Sequence, residues 1–98
     1  MMHYNKAEQL HRTDGPAIEY LNGHKEWFVN GLCHRIDGPA VEWDDGSKFW
    51  YIDDKLHRID GPAAEYADGQ KEWWINGIYI NTLKGIFYRF IRLGINFK

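Results

Sequence analysis

The sequence repeats the stretch LHRTDGPA of residues 10–17 as CHRIDGPA at 33–40 and as LHRIDGPA at 56–63. The period is 23 residues without insertions, which divides most of the chain into units 10–32, 33–55 and 56–78. Ten positions are identical in all three units, and in the first unit they are His11, Arg12, Asp14, Gly15, Pro16, Ala17, Glu19, Gly23, Lys25 and Trp27. Self-similarity at a fixed period indicates an array of one supersecondary building block.

Turn residues divide each unit into three predicted strands, at about 17–21, 24–29 and 32–36 in the first unit. Asn-Gly or Asp-Gly pairs at 22–23, 45–46 and 68–69 predict two-residue hairpin turns, because both central positions of such turns need positive φ. Asn-Gly recurs at 30–31 and 76–77, whereas the middle unit has Asp53-Asp54 at that place. The Asp-Gly-Pro triplets are a third turn signal.

These signals predict a mainly β fold, a single-layer antiparallel β-meander of three 23-residue repeats with a short C-terminal capping helix. The rival fold is a β-solenoid, which would stack identical charged residues about 4.8 Å apart and is therefore disfavoured. Two-residue turns predict the register. Across 22–23, Ile18 would face Trp27 and Tyr20 would face Lys25. Across 30–31, Trp27 would face His34 and Glu26 would face Arg35. The apolar face of the sheet would then carry Ile18, Tyr20, Lys25, Trp27, Val29, Leu32, His34 and Ile36.

We expect the whole chain, 1–98, to be a single domain. Residues 1–9 are interpreted as a degenerate half-repeat with Tyr4 in the Trp position, and 79–98 as a strand followed by a basic amphipathic helix. Apolar residues within 81–94 follow helical spacing, with Asn81 as N-cap and Gly94 as the stop. This helix is expected to cap the sheet; the alternatives are binding to a membrane surface or to a partner's groove.

The net charge of −2 hides an asymmetry. All 14 acidic residues lie in 1–72, which has a net charge of −6, whereas 73–98 has +4. An acidic body argues against nucleic acid as the main ligand, because neutralisation of phosphates drives that affinity. Cys33 is the single cysteine, and no signal peptide or apolar run of about 18 residues is seen, so a cytoplasmic location is expected.

The recurrent polar residues are predicted to be structural, and no catalytic residue, metal site or cofactor is expected. A catalytic site needs one unique constellation, and copies of His11, Arg12, Asp14 and Glu19 would lie too far apart to form one. Arginine would pair with acids or stack on rings, and aspartate would hold the turn. Cys33 takes a position that Leu10 and Leu56 hold in the other units, so it is interpreted as a core residue.

The repeat resembles the MORN family, whose units are β-hairpins of about this length. The residues that carry the resemblance are the Asn-Gly-x-x-His-Arg-x-Asp-Gly-Pro-Ala pattern at 30–40 within 10–78. This variant is similar to repeats in uncharacterised phage and bacterial proteins. The resemblance implies an extended single-layered sheet, often dimeric, that binds proteins or lipids, and it implies no catalytic residue.

We therefore expect a small non-enzymatic protein-binding module. If it is phage-encoded, it would act in the host cytoplasm as an inhibitor or modulator of a host defence or nucleic-acid-processing protein. A homodimer is compatible with this. The alternative is a peripheral membrane protein that uses the basic C-terminal helix. Aromatic side chains are favoured at binding surfaces, and acidic ones could dock a basic groove. The candidate partner-binding residues are Phe28, Tyr51, Trp74, Glu19, Glu42, Asp44, Asp45, Asp53, Asp54, Glu65, Lys84, Arg89 and Arg92, with Asp68 as a further exposed acid.

Overall fold

The computed structural model describes residues 1–80, and this part of the chain is mainly β, with antiparallel strands and no helix. Its strands are β1 Ile18–Glu19, β2 Lys25–Glu26, β3 Phe28–Val29, β4 Leu32–Cys33, β5 Val41–Glu42, β6 Lys48–Phe49, β7 Tyr51–Ile52, β8 Lys55–Leu56, β9 Ala64–Glu65, β10 Lys71–Ile75 and β11 Ile78–Ile80. The mainly β prediction is confirmed. The helix predicted within 81–94 lies outside the described residues.

The strands form one seven-stranded sheet in the order β1-β2-β5-β6-β9-β10-β11, and two hairpins, β3-β4 and β7-β8. Main-chain bonds join the hairpins side by side: the Arg35 N–H donates to the Tyr51 carbonyl at 3.1 Å, and the Asp54 N–H donates to the Cys33 carbonyl at 2.9 Å. The pairings between the named strands are antiparallel, which is not the parallel stacking of a β-solenoid.

The Asp-Gly-Pro loops at 35–39 and 58–62 each leave the sheet opposite a single tryptophan. The Trp27 N–H donates to the Ala40 carbonyl at 2.7 Å, and the Trp27 carbonyl accepts from the His34 N–H at 3.0 Å. His34 and Ala40 therefore flank Trp27 as neighbours in one strand would, and residues 35–39 project between them. The prediction of three separate strand positions per unit is wrong, because the last strand of one unit and the first strand of the next share one position.

The loop at 21–23 is one residue longer than predicted. The Tyr20 N–H donates to the His24 carbonyl at 2.9 Å, and the Gly23 N–H donates to the Tyr20 carbonyl at 3.0 Å. Gly23 has φ of 98°, so this is a three-residue loop that ends on a left-handed glycine. As a result Glu19 lies opposite Lys25 and Ile18 lies opposite Glu26. The predicted pairs Ile18–Trp27 and Tyr20–Lys25 are wrong by one residue.

The turn at 30–31 is the predicted two-residue turn. Asn30 and Gly31 have φ of 48° and 81°, and Val29 lies opposite Leu32. Asp53-Asp54 makes the same turn without glycine, with φ of 47° and 69°. Asparagine and aspartate tolerate this conformation better than other side chains, which is why the turn survives in the middle unit.

The N-terminal residues form a further strand-like edge. The His3 N–H donates to the Ala17 carbonyl at 2.8 Å, and the His3 carbonyl accepts from the His11 N–H at 2.9 Å. His3 thus makes the main-chain contacts of the tryptophan position, which were predicted for Tyr4. The reason is a three-residue loop at 6–8, where the Asn5 N–H donates to the Gln9 carbonyl at 2.9 Å.

The two faces of the sheet differ in chemistry. We call one the charged face, because the paired residues Glu19, Lys25, Glu42, Lys48, Glu65 and Lys71 alternate in sign across it. We call the other the aromatic face; its paired residues are Ile18, Glu26, Phe28, Cys33, Val41, Phe49, Tyr51, Leu56, Ala64, Glu72, Trp74 and Tyr79. Ile18 was predicted on the face of Lys25 and Trp27, and the longer loop moves it to the opposite one.

The buried interior consists mostly of small side chains. Ala17, Ala40, Ala63 and Ala64 are fully buried within the described part of the chain, and Ile18 and Cys33 nearly so. A sheet with so little enclosed apolar volume leaves its large side chains partly open to solvent. Tyr20, Trp43, Tyr66 and Tyr79 are among these exposed side chains.

Candidate functional site

The recurrent arginine is the centre of each projecting loop. Arg35 donates from Nε to Asp37 at 3.1 Å, and from Nη1 to the Pro39 carbonyl at 3.0 Å and to Glu42 at 3.2 Å. Its guanidinium carbon lies 3.9 Å from the centre of the Trp27 ring. The prediction that arginine pairs with acids and stacks on rings is confirmed, although the predicted partner Glu26 is wrong, because residues 35–39 leave the sheet.

The same contacts recur 23 residues away in both directions. Arg58 bonds Asp60, the Pro62 carbonyl and Glu65, and it lies 3.9 Å from the Trp50 ring. Arg12 bonds Asp14, the Pro16 carbonyl and Glu19, and its Nη1 is 3.2 Å from His3 Nε2 where the other two arginines have a tryptophan. The bond from Arg12 also lowers the pKa of Asp14.

The glycine of the Asp-Gly-Pro triplet lets the arginine side chain lie directly against the loop backbone. A Cβ atom on Gly38 would lie 2.9 Å from the guanidinium carbon of Arg35, closer than carbon atoms can approach. The loop backbone is thus pressed against one side of the guanidinium while Trp27 covers another. The motif residues hold the loop in place, which accounts for their recurrence.

The recurrent histidine caps the neighbouring turn. His11 Nδ1 accepts the Asn30 N–H at 2.9 Å, His34 Nδ1 accepts the Asp53 N–H at 3.2 Å, and His57 Nδ1 accepts the Asn76 N–H at 3.0 Å. Because Nδ1 accepts, Nε2 carries the proton of the neutral ring. Among residues 1–80, no group of three side chains is arranged to hold a metal ion.

The candidate acidic residues fall into two groups. Glu19, Glu42 and Glu65 are held by the loop arginines at 3.2–3.3 Å, so they belong to the scaffold. Asp44, Asp45, Asp53, Asp54 and Asp68 are exposed in the loops. Asp45 accepts the Ser47 N–H at 2.8 Å, which lowers the pKa of its carboxyl group, and Asp54 accepts the Cys33 N–H at 2.7 Å.

The three candidate aromatic residues share the aromatic face and are half-buried there. Phe28 lies opposite Cys33, Tyr51 opposite Leu56, and Trp74 opposite Tyr79, with the Trp74 and Tyr79 rings 5.3 Å apart. The Trp74 indole N–H donates to Glu72 at 3.1 Å, and the Tyr66 hydroxyl donates to the same carboxylate at 3.2 Å. These bonds hold an acid among the rings.

A second row of aromatic residues was missed from the sequence. Tyr20, Trp43 and Tyr66 begin the three-residue loops and are 49%, 49% and 37% exposed. The His24 ring lies 4.0 Å from that of Trp43 and 5.3 Å from that of Tyr20, and Phe49 lies 5.4 Å from Tyr66. The recurrence of an aromatic residue every 23 positions was a usable signal, but the predicted register assigned Tyr20 to the wrong face.

His24 joins this row to the carboxylates of the aromatic face. It is 4% exposed, and its Nε2 lies 2.6 Å from Glu26. Neighbouring Cys33 is buried, and burial raises the pKa of its thiol to about 12, with Glu26 and Asp54 adding to the effect. The thiol is thus un-ionised at neutral pH, which agrees with its interpretation as a core residue.

The aromatic face is electrostatically one-sided. Its paired residues within 1–80 include Glu26 and Glu72 but no lysine or arginine, whereas Lys25, Lys48 and Lys71 all pair on the charged face. The exposed aspartates of the loops at 44–45 and 68 border the same rings. Together they form a surface of aromatic rings and carboxylates.

The charged face carries grooves between successive projecting loops. One, of about 770 Å³, lies between loops 12–16 and 35–39 over Trp27, Val29 and His34. The other, of about 450 Å³, lies between loops 35–39 and 58–62 over Trp50, Ile52 and His57. The two floors are built from residues 23 positions apart, so one groove repeats the other.

The remaining candidates, Lys84, Arg89 and Arg92, lie outside the described residues. Within 1–80 there is no helix long and apolar enough to cross a membrane. No protein-family model, curated protein or solved structure matches this chain.

Proposed function

We propose that this protein is a non-catalytic protein-binding module whose aromatic face docks onto a basic surface of its partner. The observation that supports this most directly is the segregation of charge: carboxylates lie among exposed rings on one face, and the lysines lie on the other. Rings of tryptophan and tyrosine attract cations, and they are favoured as anchors of protein interfaces.

The proposed partner carries arginine or lysine side chains beside apolar residues. Trp43 and Tyr66 would contact the cation or its aliphatic stem, and Asp44 and Asp68 would steer the approach. Proteins that process nucleic acid have basic clefts of this kind, so we infer that such a protein, a host protein if the chain is phage-encoded, is the class to test first. The module would then act by occupying the cleft.

We further infer that units 10–32, 33–55 and 56–78 are three copies of one hairpin building block. Each copy adds two strand positions, one exposed ring and one projecting loop to a single-layered sheet. Multiplication of one weak contact along a rigid surface is a common way to obtain affinity from small units. A variant with only one unit should therefore lose more than two thirds of the binding free energy.

The test compares variants of the full chain that differ in one face. Tagged wild type, Trp43→Ala and Lys48→Ala are used for affinity capture from cells, and each captured protein is purified and titrated by calorimetry. We expect the partner to have a basic surface, its affinity to fall about tenfold or more with Trp43→Ala, and Lys48→Ala to bind as wild type. Affinity should also fall with added salt.

Two results would contradict the proposal: a partner that binds Trp43→Ala as tightly as wild type, or one that is released by Lys48→Ala instead. Circular dichroism melting of each variant separates lost binding from lost folding. An affinity that does not change between low and high salt would remove the electrostatic part of the proposal.

A second candidate function follows from the +4 charge of residues 73–98. In this proposal Lys84, Arg89 and Arg92 hold the protein at an anionic membrane. Sedimentation with vesicles of phosphatidylcholine and phosphatidylserine tests it, using wild type and the triple variant Lys84→Glu, Arg89→Glu, Arg92→Glu. Binding that needs phosphatidylserine and is lost in the variant would favour the membrane function, and equal sedimentation of both would exclude it.

A further inference from the structure

The two grooves of the charged face provide the same set of chemical groups at a fixed interval. Each has a tryptophan on its floor, a branched aliphatic residue beside it and an imidazole at its end. Ile36 borders both grooves and is 85% exposed. Ile36 therefore offers an apolar side chain to whatever occupies either groove.

The groove floor presents an aromatic ring and one oriented donor. The Arg35 guanidinium lies over the Trp27 ring at 3.9 Å, and the same ring lines the groove. His57 Nδ1 accepts the Asn76 N–H, so its Nε2 carries the proton of the neutral ring and can donate to a ligand. His34 Nδ1 lies 3.2 Å from both the Asp53 main-chain nitrogen and the Asp53 carboxylate, and its Nε2 is the ring nitrogen left for a ligand. A ligand should therefore be apolar and carry unpaired carbonyl groups.

The interval between the grooves selects the conformation of that ligand. Strands β2 and β6 hold equivalent residues of two units and are separated by β5 alone, so the grooves recur every two strand positions, or about 9.6 Å. A polyproline II helix has three residues per turn and rises about 9.3 Å per turn, and its carbonyls make no internal hydrogen bonds. Every third residue therefore meets an equivalent groove.

Other conformations fit this interval poorly. An extended strand repeats its facing side chain about every 6.7 Å, and an α-helix repeats its facing turn about every 5.4 Å, so both would place side chains on the projecting loops. Charge also agrees with an uncharged ligand, because glutamates and lysines alternate along the charged face and balance each other.

We propose that the charged face binds a proline-rich segment of a protein in the polyproline II conformation, lying across the projecting loops. One proline of every three contacts a groove tryptophan, the carbonyl beside it accepts the Nε2–H of His34 or His57, and the residues between contact Ile36 and Ile59. This surface is separate from the aromatic face, so the module would have two binding surfaces.

The test uses full-length ¹⁵N-labelled protein and a synthetic ten-residue oligoproline as the probe. We expect saturable shifts of the Trp27 and Trp50 indole N–H signals, with the Trp43 signal unmoved. The variant Ile36→Glu places a charge at the border of both grooves without touching the buried residues, and it should weaken binding about tenfold. Leu21→Glu is the matched control, an equally open residue on a loop away from the grooves.

A second pair of probes tests the interval. Peptides with prolines at every third position should bind more tightly than peptides of equal composition with prolines at every fourth. The proposal is overturned if oligoproline leaves the Trp27 and Trp50 signals unchanged at millimolar concentration, or if folded Ile36→Glu binds as tightly as Leu21→Glu. Trp43→Ala should leave oligoproline binding unchanged, so failure here is distinct from failure of the proposed basic partner.

Discussion

At the scale of single residues, the structure explains why the same ten positions are identical in each unit. Arginine, aspartate, glycine, proline and glutamate build one projecting loop, and histidine caps the next turn. The sequence predicted the acid and ring partners of arginine correctly, but it predicted no partner for histidine and assigned the aspartates to the turn, whereas they accept from the arginine Nε. It could not predict that Glu42 rather than Glu26 binds Arg35, because that depends on residues 35–39 leaving the sheet.

The contribution of ring stacking can be measured with a matched pair of arginines. Arg35 and Arg12 make the same three hydrogen-bonded contacts, but Arg35 lies over the Trp27 ring where Arg12 has His3 Nε2 at 3.2 Å from its Nη1. We expect Arg35→Ala to lower the free energy of unfolding by about 0.5–2 kcal/mol more than Arg12→Ala. Urea denaturation of both variants checks this, and equal losses would show that the stacking on Trp27 contributes no more than the Arg12 contact with His3.

The buried thiol predicts instability in alkali. Because the pKa of Cys33 is raised from 9.0 to about 12, the unfolded chain ionises first as the pH rises above 9. Ionisation then favours the unfolded state, so stability should fall between pH 9 and pH 12. Denaturation of wild type and Cys33→Ala over this range should give a steeper pH dependence for wild type; parallel curves would contradict the expectation.

At the scale of strands and turns, the Asn-Gly dipeptide led to a correct prediction of strand register at 30–31 and to a wrong one at 22–23. Asn30-Gly31 forms a complete two-residue turn, whereas Asn22-Gly23 forms the last two positions of a three-residue loop. Both loops place glycine at positive φ, so the dipeptide alone cannot distinguish them. The side chains of strand β1 consequently lie on the opposite face from the one predicted.

Deletion of single leucines tests these loop lengths. Removing Leu21 leaves Asn22-Gly23 as a two-residue turn between Tyr20 and His24, with all later pairs unchanged, so we expect stability within about 1 kcal/mol of wild type. Removing Leu32 brings Cys33 opposite Val29 and turns the buried thiol to the other face, so a loss of about 3 kcal/mol or more is expected.

Thermal melts of the two deletion variants provide the measurement. Leu21 is fully exposed and Leu32 is 41% exposed, so a Leu32→Ala variant measures the share of the loss that comes from side-chain burial. If removal of Leu21 were as damaging as removal of Leu32, the loop at 21–23 would have to contain two residues. The Asn30-Gly31 hairpin would be unaffected by that result.

At the scale of the whole molecule, the sequence predicted an antiparallel sheet but overestimated its width. Counting turns suggested three strand positions per unit, whereas His34 and Ala40 continue one position on either side of a loop. A strand interrupted by a loop has the same turn signals in its sequence as two separate strands. The hydrogen-bond partners distinguish the two cases, and here His34 and Ala40 both bond Trp27. Three strand positions per unit would place equivalent grooves about 14 Å apart, whereas the observed two positions place them about 9.6 Å apart.

An added unit should strengthen the array. If a second copy of residues 33–55 is inserted after Lys55, every existing contact between units is kept and one more interface is formed. In one-dimensional arrays stability grows with each interface, so we expect a higher melting temperature and a steeper dependence on urea. A longer chain that melts at a lower temperature would count against interchangeable units.

The alternation of glutamate and lysine across the sheet restricts how such a protein can grow. Neighbouring strands have opposite signs at this row, from Glu19 and Lys25 through to Lys71. Gain or loss of a lone strand would set like charges side by side, whereas gain or loss of two strands restores the pattern. Lengths that differ by whole hairpins therefore keep the alternation of this row, whereas insertion or removal of a single strand within it is penalised by contact between like charges.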